Sequence, residues 1–222
     1  MVASQAILDL KTPQLSSGTS LGRNLSDRVL YAPGNHPRTE LLEAVVWYCD
    51  MRSYTRLGHE ISPVELIALL NSYIDCVGPA ILDHGGEIVK FLGDAVLATF
   101  PCGRGGAGAA CHRATQAALA ARQRLKILNL DRRRQGREEI AFDLGLTLGK
   151  VAYGVIGFLS QFDITVVGLP VNLAGRLEEL CERLQESVLV SKTFAAESGL
   201  PLRHVGVFEL KGFDLPQAVF GL

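Results

Sequence analysis

The chain has 222 residues, with 22 Lys and Arg against 23 Asp and Glu and a formal net charge of −1. That balance excludes a protein working by overall positive charge, and 48% hydrophobic residues with 20% charged excludes a disordered chain. The length suits one generous domain with a short appendage.

Residues 1–42 read as an N-terminal arm or linker, because Lys11 to Glu40 is rich in Ser, Gly, Asn and Pro and has little periodicity. Such an arm suits a connection to an upstream sensor domain or partner protein, and equally an ordered extension lying on the domain. Residues 43–222 read as one domain. Glu43 to Cys49 is apolar, β-branched and aromatic, a buried strand ending at Asp50. Ser62-Pro63-Val64-Glu65 carries the Ser cap, early Pro and Glu of a helix start. Leu66, Leu70, Tyr73, Val77 and Ile81 continue it, and Gly78-Pro79 is expected to kink or thin it. Glu87 to Leu92 and Ala95 to Phe100, separated by Gly93-Asp94, predict a hairpin. Gly103 to Gly108 reads as a flexible connector before an Ala-rich helix from about Ala109 to Leu130. Ile140, Phe142, Leu144, Leu146 and Leu148 alternate with smaller or polar residues, predicting a strand with one buried face. A short run at Ile164 to Val167, a helix over Val171 to Arg183, and strands at Val188 to Val190, Val205 to Leu210 and Ala218 to Phe220 complete the chain. The order is a β-α-β-β-α-β core with C-terminal additions, an α+β fold of the ferredoxin-like class.

In that topology the first strand lies beside the hairpin, so Asp50 and Asp94 meet at one end of the sheet. Two close carboxylates repel unless a cation lies between them, and hard oxygen ligands suit Mg²⁺ or Mn²⁺ with substrate phosphates completing the shell. That describes a two-metal phosphoryl-transfer centre. From topology alone the same residues read equally well as a loop cap and a Gly-Asp turn. Asn172 and Arg176 are four apart and share a helix face, and by themselves they read as a helix-terminal Asn and a solvated Arg.

Three segments carry a resemblance. Residues 44–55 (AVVWYCDMRSYT), 84–94 (HGGEIVKFLGD) and 164–178 (ITVVGLPVNLAGRLE) resemble, in order and spacing, the catalytic domain of the class III nucleotidyl cyclases. The likeness covers roughly residues 43–222. It implies attack of the ribose 3′-hydroxyl of a nucleoside triphosphate on its own α-phosphorus, releasing pyrophosphate and a 3′,5′-cyclic nucleotide. Asp50 and Asp94, with the backbone carbonyl of Met51, match the family's ligands for two Mg²⁺ or Mn²⁺ ions per site. The resemblance makes Asn172 the residue that orients the ribose. It makes Arg176 the stabiliser of the transition state, a role for which a permanent, forked cation is apt. Lys211 matches a lysine on the terminal phosphates.

Lys90 and Thr165 match the base-reading positions. Lys90 can donate to adenine N1, although guanine O6 also accepts, and the Thr165 hydroxyl can accept or donate. The pair implies ATP as substrate, and hence an adenylate cyclase. A guanylate cyclase and a non-catalytic dimerising relative are the alternatives. Members with Thr at this position are often stimulated by bicarbonate. In the family the active sites form across a two-fold dimer, one chain giving Asp50 and Asp94 and the other Lys90, Thr165, Asn172, Arg176 and Lys211. A homodimer of this chain therefore has parts for two sites. The Gly-Gly-Asp/Glu-Glu-Phe signature of the diguanylate cyclases is absent.

Other features point elsewhere or nowhere. No uninterrupted apolar run reaches the ~18 residues of a membrane span, and Met1 to Leu10 lacks the basic start and apolar stretch of a signal peptide. Five cysteines, odd in number and without a Cys-x-x-Cys pair, suit a reduced, cytoplasmic protein. Arg104 to Arg137 is strongly basic with Asp131 as its lone acid. Without interleaved aromatics it reads as a solvated helix face rather than a specific nucleic-acid surface.

Overall fold

The computed structural model describes residues 39–158 and 161–222. The arm expected over residues 1–42 lies outside the described residues except for its last few, and Glu40 to Leu42 already belong to the first strand. The elements are β1 (Glu40–Met51), α1 (Tyr54–Glu60), α2 (Pro63–Asp83), β2 (Glu87–Leu92), β3 (Ala95–Pro101), α3 (Gly106–Arg134), β4 (Phe142–Phe158), β5 (Gln161–Val167), α4 (Leu169–Leu184), β6 (Val188–Ser191), α5 (Lys192–Ser198), β7 (Arg203–Phe208) and β8 (Gln217–Gly221). The sheet order is β2-β3-β1-β4-β6-β8-β7, with β5 paired to β4. The expected β-α-β-β-α-β core is present as β1-α2-β2-β3-α3-β4.

β1 is buried on both sides, which is why it reads as an apolar run rather than an alternation. Val45, Trp47, Cys49 and Met51 join the main core with α2 and α3. Ala44 and Val46 face a second cluster containing Val89, Leu97, Val151, Tyr153, Val166 and Ala174. β4 pairs along all of β1, from Glu40 opposite Tyr153 to Met51 opposite Phe142. Its large residues Phe142, Leu144, Leu146 and Leu148 enter the main core. The expectation of a single buried face is corrected, because Asp143 is 5% and Thr147 0% exposed. Their side is small rather than exposed because α4 lies directly upon it. A Cβ on Gly145 would stand 2.0 Å from the Ala174 carbonyl oxygen, and one on Gly149 2.6 Å from Pro170 Cγ.

α2 begins as its sequence promises. The Ser62 hydroxyl accepts from the Glu65 N–H at 3.3 Å, and the Glu65 carboxylate accepts from the Ser62 N–H at 3.0 Å. The kink expected at Gly78-Pro79 is not a break, and the helix is continuous through Asp83. Pro79 lies in the final turns, and Val77, Ala80 and Ile81 around it are fully buried, so core packing keeps the segment helical through the missing N–H. α2 also has the length and apolarity to cross a membrane by composition, with a mean hydropathy of 1.4 over its best window. Its Tyr73, Val77 and Ile81 side is instead part of the core.

The glycine-rich connector is likewise structured. Gly103–Gly105 forms a 3₁₀ turn and α3 starts at Gly106. Gly108 lets α5 approach, since a Cβ there would be 3.2 Å from the Glu197 carbonyl oxygen. The basic end of α3 is answered by acids just beyond it: Arg133 pairs with Glu139, and Arg132 donates to the Glu138 carbonyl at 2.7 Å. All five cysteines are free and buried.

Candidate functional site

Asp50 stands one residue before the end of β1, and Asp94 in the two-residue turn between β2 and β3. Gly93 opens that turn with φ 68°, a conformation glycine adopts without strain. Cys49 lies opposite Val96 and Leu92 opposite Ala95, and this register carries the turn to the end of β1. The two carboxyl groups line one cleft and lie close enough for each to feel the other's charge. Burial, followed by Asp94 itself, pushes the Asp50 carboxyl up to about 7, opposed by the Met51 N–H donating to Oδ1 at 2.7 Å.

These two residues and Met51 line a cleft of about 480 Å³ that also receives Asp143, Glu178 and Glu182. Burial, then the charges of Asp50 and Asp143, pushes Glu178 up to about 8. Arg52 is the balancing cation: its guanidinium is bidentate to the buried Asp143 and donates to the Glu186 carbonyl at 3.2 Å. Among the described residues, no three His, Cys, Asp or Glu side chains are grouped to hold a metal alone. Two carboxylates close enough to feel each other's charge are nevertheless a hard oxygen donor set that a divalent cation would relieve, with phosphates and water completing its shell. The residues therefore fit Mg²⁺ or Mn²⁺.

The cleft's charge predicts a pH effect. Asp50 has an ordinary value of 3.8 and about 7 in the fold, so its burial costs little below about pH 4, and the cost grows as pH rises from there to about 7 and is complete above it. In chelator, Asp50→Asn should melt close to wild type at about pH 4 and a few degrees higher at about pH 8. Thermal melts of both proteins across this range check it, and a gap that closes with rising pH would refute the assignment.

Asn172, Arg176 and Lys211 line a second cavity, of about 440 Å³, with Tyr48, Gly175 and Phe213. α4 supplies the first two from one face, and its N-terminal end is fixed by Thr147 Oγ1 donating to the Pro170 carbonyl at 2.8 Å. Arg176 is held within its own helix by Glu179, at 2.5 and 2.7 Å. Glu179 borders both cavities. Lys90 and Thr165 line neither cavity. Lys90 Nζ reaches Asp163 on β5, the strand that carries Thr165.

The predicted residues thus fall into three groups in one chain: Asp50, Met51 and Asp94; Asn172, Arg176 and Lys211; and Lys90 near Thr165. Sequence reasoning missed Arg52, Asp143, Asp163, Glu178 and Glu179. The Glu178-Glu179 pair beside Arg176 and the i, i+2 spacing of Asp163 and Thr165 were available signals.

Comparison with known proteins is consistent across sequence and structure. A family model of the adenylate and guanylate cyclase catalytic domain matches residues 38–219. An adenylate cyclase of Anabaena cylindrica is 34% identical over 160 residues, which are 70% of this chain and 31% of that protein. Adenylate cyclase 1 of Rhizobium meliloti is 30% identical over 172 residues, 77% of this chain and 26% of its own. The chain therefore spans less than a third of these relatives' length. Among solved structures, the adenylyl cyclase CyaB from P. aeruginosa superposes with a TM-score of 0.75 at 29% identity, covering 83% of this chain and 95% of that one. The guanylyl cyclase Cya2 shares the fold, with a TM-score of 0.71 at 23% identity over 82% of this chain and 92% of its own.

Proposed function

Because the chain belongs to the adenylate and guanylate cyclase catalytic domain family, we propose that it converts ATP to 3′,5′-cyclic AMP and pyrophosphate in a homodimer with shared sites. The observation that carries this reading is the division of the reactive residues between two cavities of one chain, metal-type acids in one and phosphate-type donors in the other. A two-fold partner would bring the complementary halves together.

Asp50, Asp94 and the Met51 carbonyl would hold two Mg²⁺ or Mn²⁺ ions, which when bound acidify the 3′-hydroxyl and offset triphosphate charge. Asn172 orients the ribose by hydrogen bonding, which fixes the 3′-oxygen in line with the α-phosphorus. Arg176 leaves Glu179 and presents its fork to the oxygens of the α-phosphate as charge develops there. Lys211, across the same cavity, takes the terminal phosphates that depart as pyrophosphate. Lys90 donates to adenine N1, and Thr165 faces the same base.

The test is product formation from ATP and from GTP, each with Mg²⁺ or Mn²⁺, beside Asp50→Asn. Cyclic AMP that requires metal and disappears in the variant is expected. Cyclic GMP instead would overturn the choice of base while keeping the chemistry. A folded dimer that makes neither product would overturn the enzymatic reading.

A further inference from the structure

Like charges directly opposite each other on paired strands destabilise a sheet, and this sheet has such a pair at its acidic end. β1 and β4 pair with Asp50 opposite Asp143. Phe142 and Leu144, on either side of Asp143, enter the main core, so Asp143 faces the other side of β4, where α4 lies. Asp50 shares that side as its cross-strand partner. The Arg52 N–H extends the pairing by one step, donating to the Ala141 carbonyl at 2.9 Å. Arg52 is thus two strand steps from Asp50, about 6.6 Å, and diagonal to Asp143, and all three line the acidic cleft. An arginine placed there can reach either carboxylate, and it takes Asp143. Resting on the reading of Asp50 and Asp94 as ligands of a divalent cation, we propose that Asp143 is a positioning residue: it holds the Arg52 guanidinium away from those two carboxylates and so keeps them open to the metal.

The hold on Arg52 is specific. Its Nε donates to Asp143 Oδ2 at 3.0 Å, and a second nitrogen donates to Oδ1 and, at 3.2 Å, to the Glu186 carbonyl in the turn after α4. Both prongs of the fork are engaged, which fixes the plane of the guanidinium. The Asp143 side chain is 6% exposed and that of Arg52 34%, so the acid is the buried anchor and the cation is the part that could turn elsewhere. Burial pushes the Asp143 carboxyl up, Arg52 opposes this, and Glu182 and Asp50 add to the rise. Fold stability alone does not account for such a pair, since apolar residues of similar volume often replace a buried ion pair without loss. Its effect is on distribution. Of Asp50, Asp94 and Asp143 in the cleft, Asp143 alone has an ion-pair partner among the described residues.

The consequence follows from what a guanidinium can do. It is a permanent cation whose planar fork matches a carboxylate. Laid on Asp50 it would answer that charge as a metal does, but it has no coordination position to offer phosphate or water. A divalent cation would then have to break an ion pair before it could bind. Asp143 removes that competitor in advance, without itself serving as a metal ligand. Held one strand away, the guanidinium still offsets part of the charge of the surrounding acids, among them Glu178 and Glu182 of the same cleft. Asp50 and Asp94 are left with the two demands that a metal meets, opposite charge and oxygen coordination.

The experiment is calorimetric titration of the metal-free full chain with Mn²⁺, without nucleotide, in wild type, Asp143→Asn, Arg52→Met and the double variant, with melting temperature as a control for folding. Asp143→Asn should bind Mn²⁺ about tenfold more weakly, because the freed guanidinium moves onto Asp50. Arg52→Met should bind it as tightly as wild type or more tightly, since no competitor remains. The double variant should recover most of the loss although it still lacks the acid, a rescue that a merely structural role for Asp143 would not produce. Unchanged binding in Asp143→Asn, a loss of about tenfold in Arg52→Met, or a double variant as weak as Asp143→Asn would each overturn the proposal. If Asp143→Asn does not fold, Arg52→Met and the double variant decide: wild-type or tighter binding by both sustains it, and weaker binding by either overturns it. Asp50→Asn tests the underlying reading separately. If it binds Mn²⁺ as wild type does, or if wild type binds none, the metal site is wrong and the proposal falls with it. Because no turnover is measured, the result stands apart from which nucleotide the chain uses.

Discussion

Asp50→Asn and Arg176→Ala should each lower turnover at least about 100-fold, and a mixture of the two inactive proteins should regain activity. The first change replaces a charged donor in the acidic cleft with a neutral amide. The second removes the forked cation from the phosphate cavity. The residues line different cavities of one chain, so neither loss should disturb the other's surroundings. In a mixed dimer the arginine-deficient chain still offers Asp50 and Asp94, and the aspartate-deficient chain still offers Arg176. One site is intact and the other carries both lesions. Statistical exchange makes half the dimers mixed, each with one of two sites working, or roughly a quarter of wild-type activity. Rate assays before and after subunit exchange check this. Persistent inactivity despite proven exchange would refute the shared site.

Gly145→Ala is expected to be the most damaging glycine-to-alanine change among the described residues. Its Cβ would lie 2.0 Å from the Ala174 carbonyl oxygen and 2.9 Å from the Glu178 nitrogen, both backbone atoms of α4. A flexible side chain could turn aside, but a helix backbone moves only as a whole. α4 cannot rise freely, because Pro170 is bound to Thr147 and packed on Gly149. The variant should lose ~3 kcal/mol or more of stability, at the upper end for overpacked cores. Whatever folds should lose activity as well, since α4 carries both Asn172 and Arg176. Gly175→Ala on the same helix is the control. Nothing stands within 4 Å of its added Cβ, and alanine favours the helix, so its stability should be equal or slightly higher. Denaturant unfolding of both variants checks the contrast, and a Gly145→Ala protein as stable as wild type would refute the packing account.

Legibility from sequence followed how local each cause was. The capping box of Ser62 and Glu65, the Gly93-Asp94 turn and the doubly buried β1 are written in adjacent residues, and the structure contains them as read. The meeting of Asp50 with Asp94 follows once β1 and the hairpin are placed together. What was missed depends on partners distant in the chain. The small face of β4 looked like a solvent face because glycine and threonine signal nothing about the helix above them. α1 begins at Ser53, which has φ 63° and makes no side-chain cap, so no start signal marks it. The β2–β3 ladder has an extra residue at Val89, an irregularity with no composition of its own, since Ile-Val-Lys-Phe reads as ordinary strand. Asp143 and Glu178 are drawn together by two elements that share no motif. The stop of α2 at His84-Gly85-Gly86 was equally local, and the helix runs through Gly78-Pro79 to Asp83.

The burial of every cysteine has a practical use. Burial pushes the thiols of Cys49, Cys111 and Cys181 up to about 12 and raises those of Cys76 and Cys102 as well, so all five offer little thiolate to a reagent at neutral pH. The native chain is therefore close to silent towards alkylation. A single cysteine introduced on the surface would carry a dye with little background. The native thiols would be modified only when the fold opens, so their rate of loss would time that opening segment by segment.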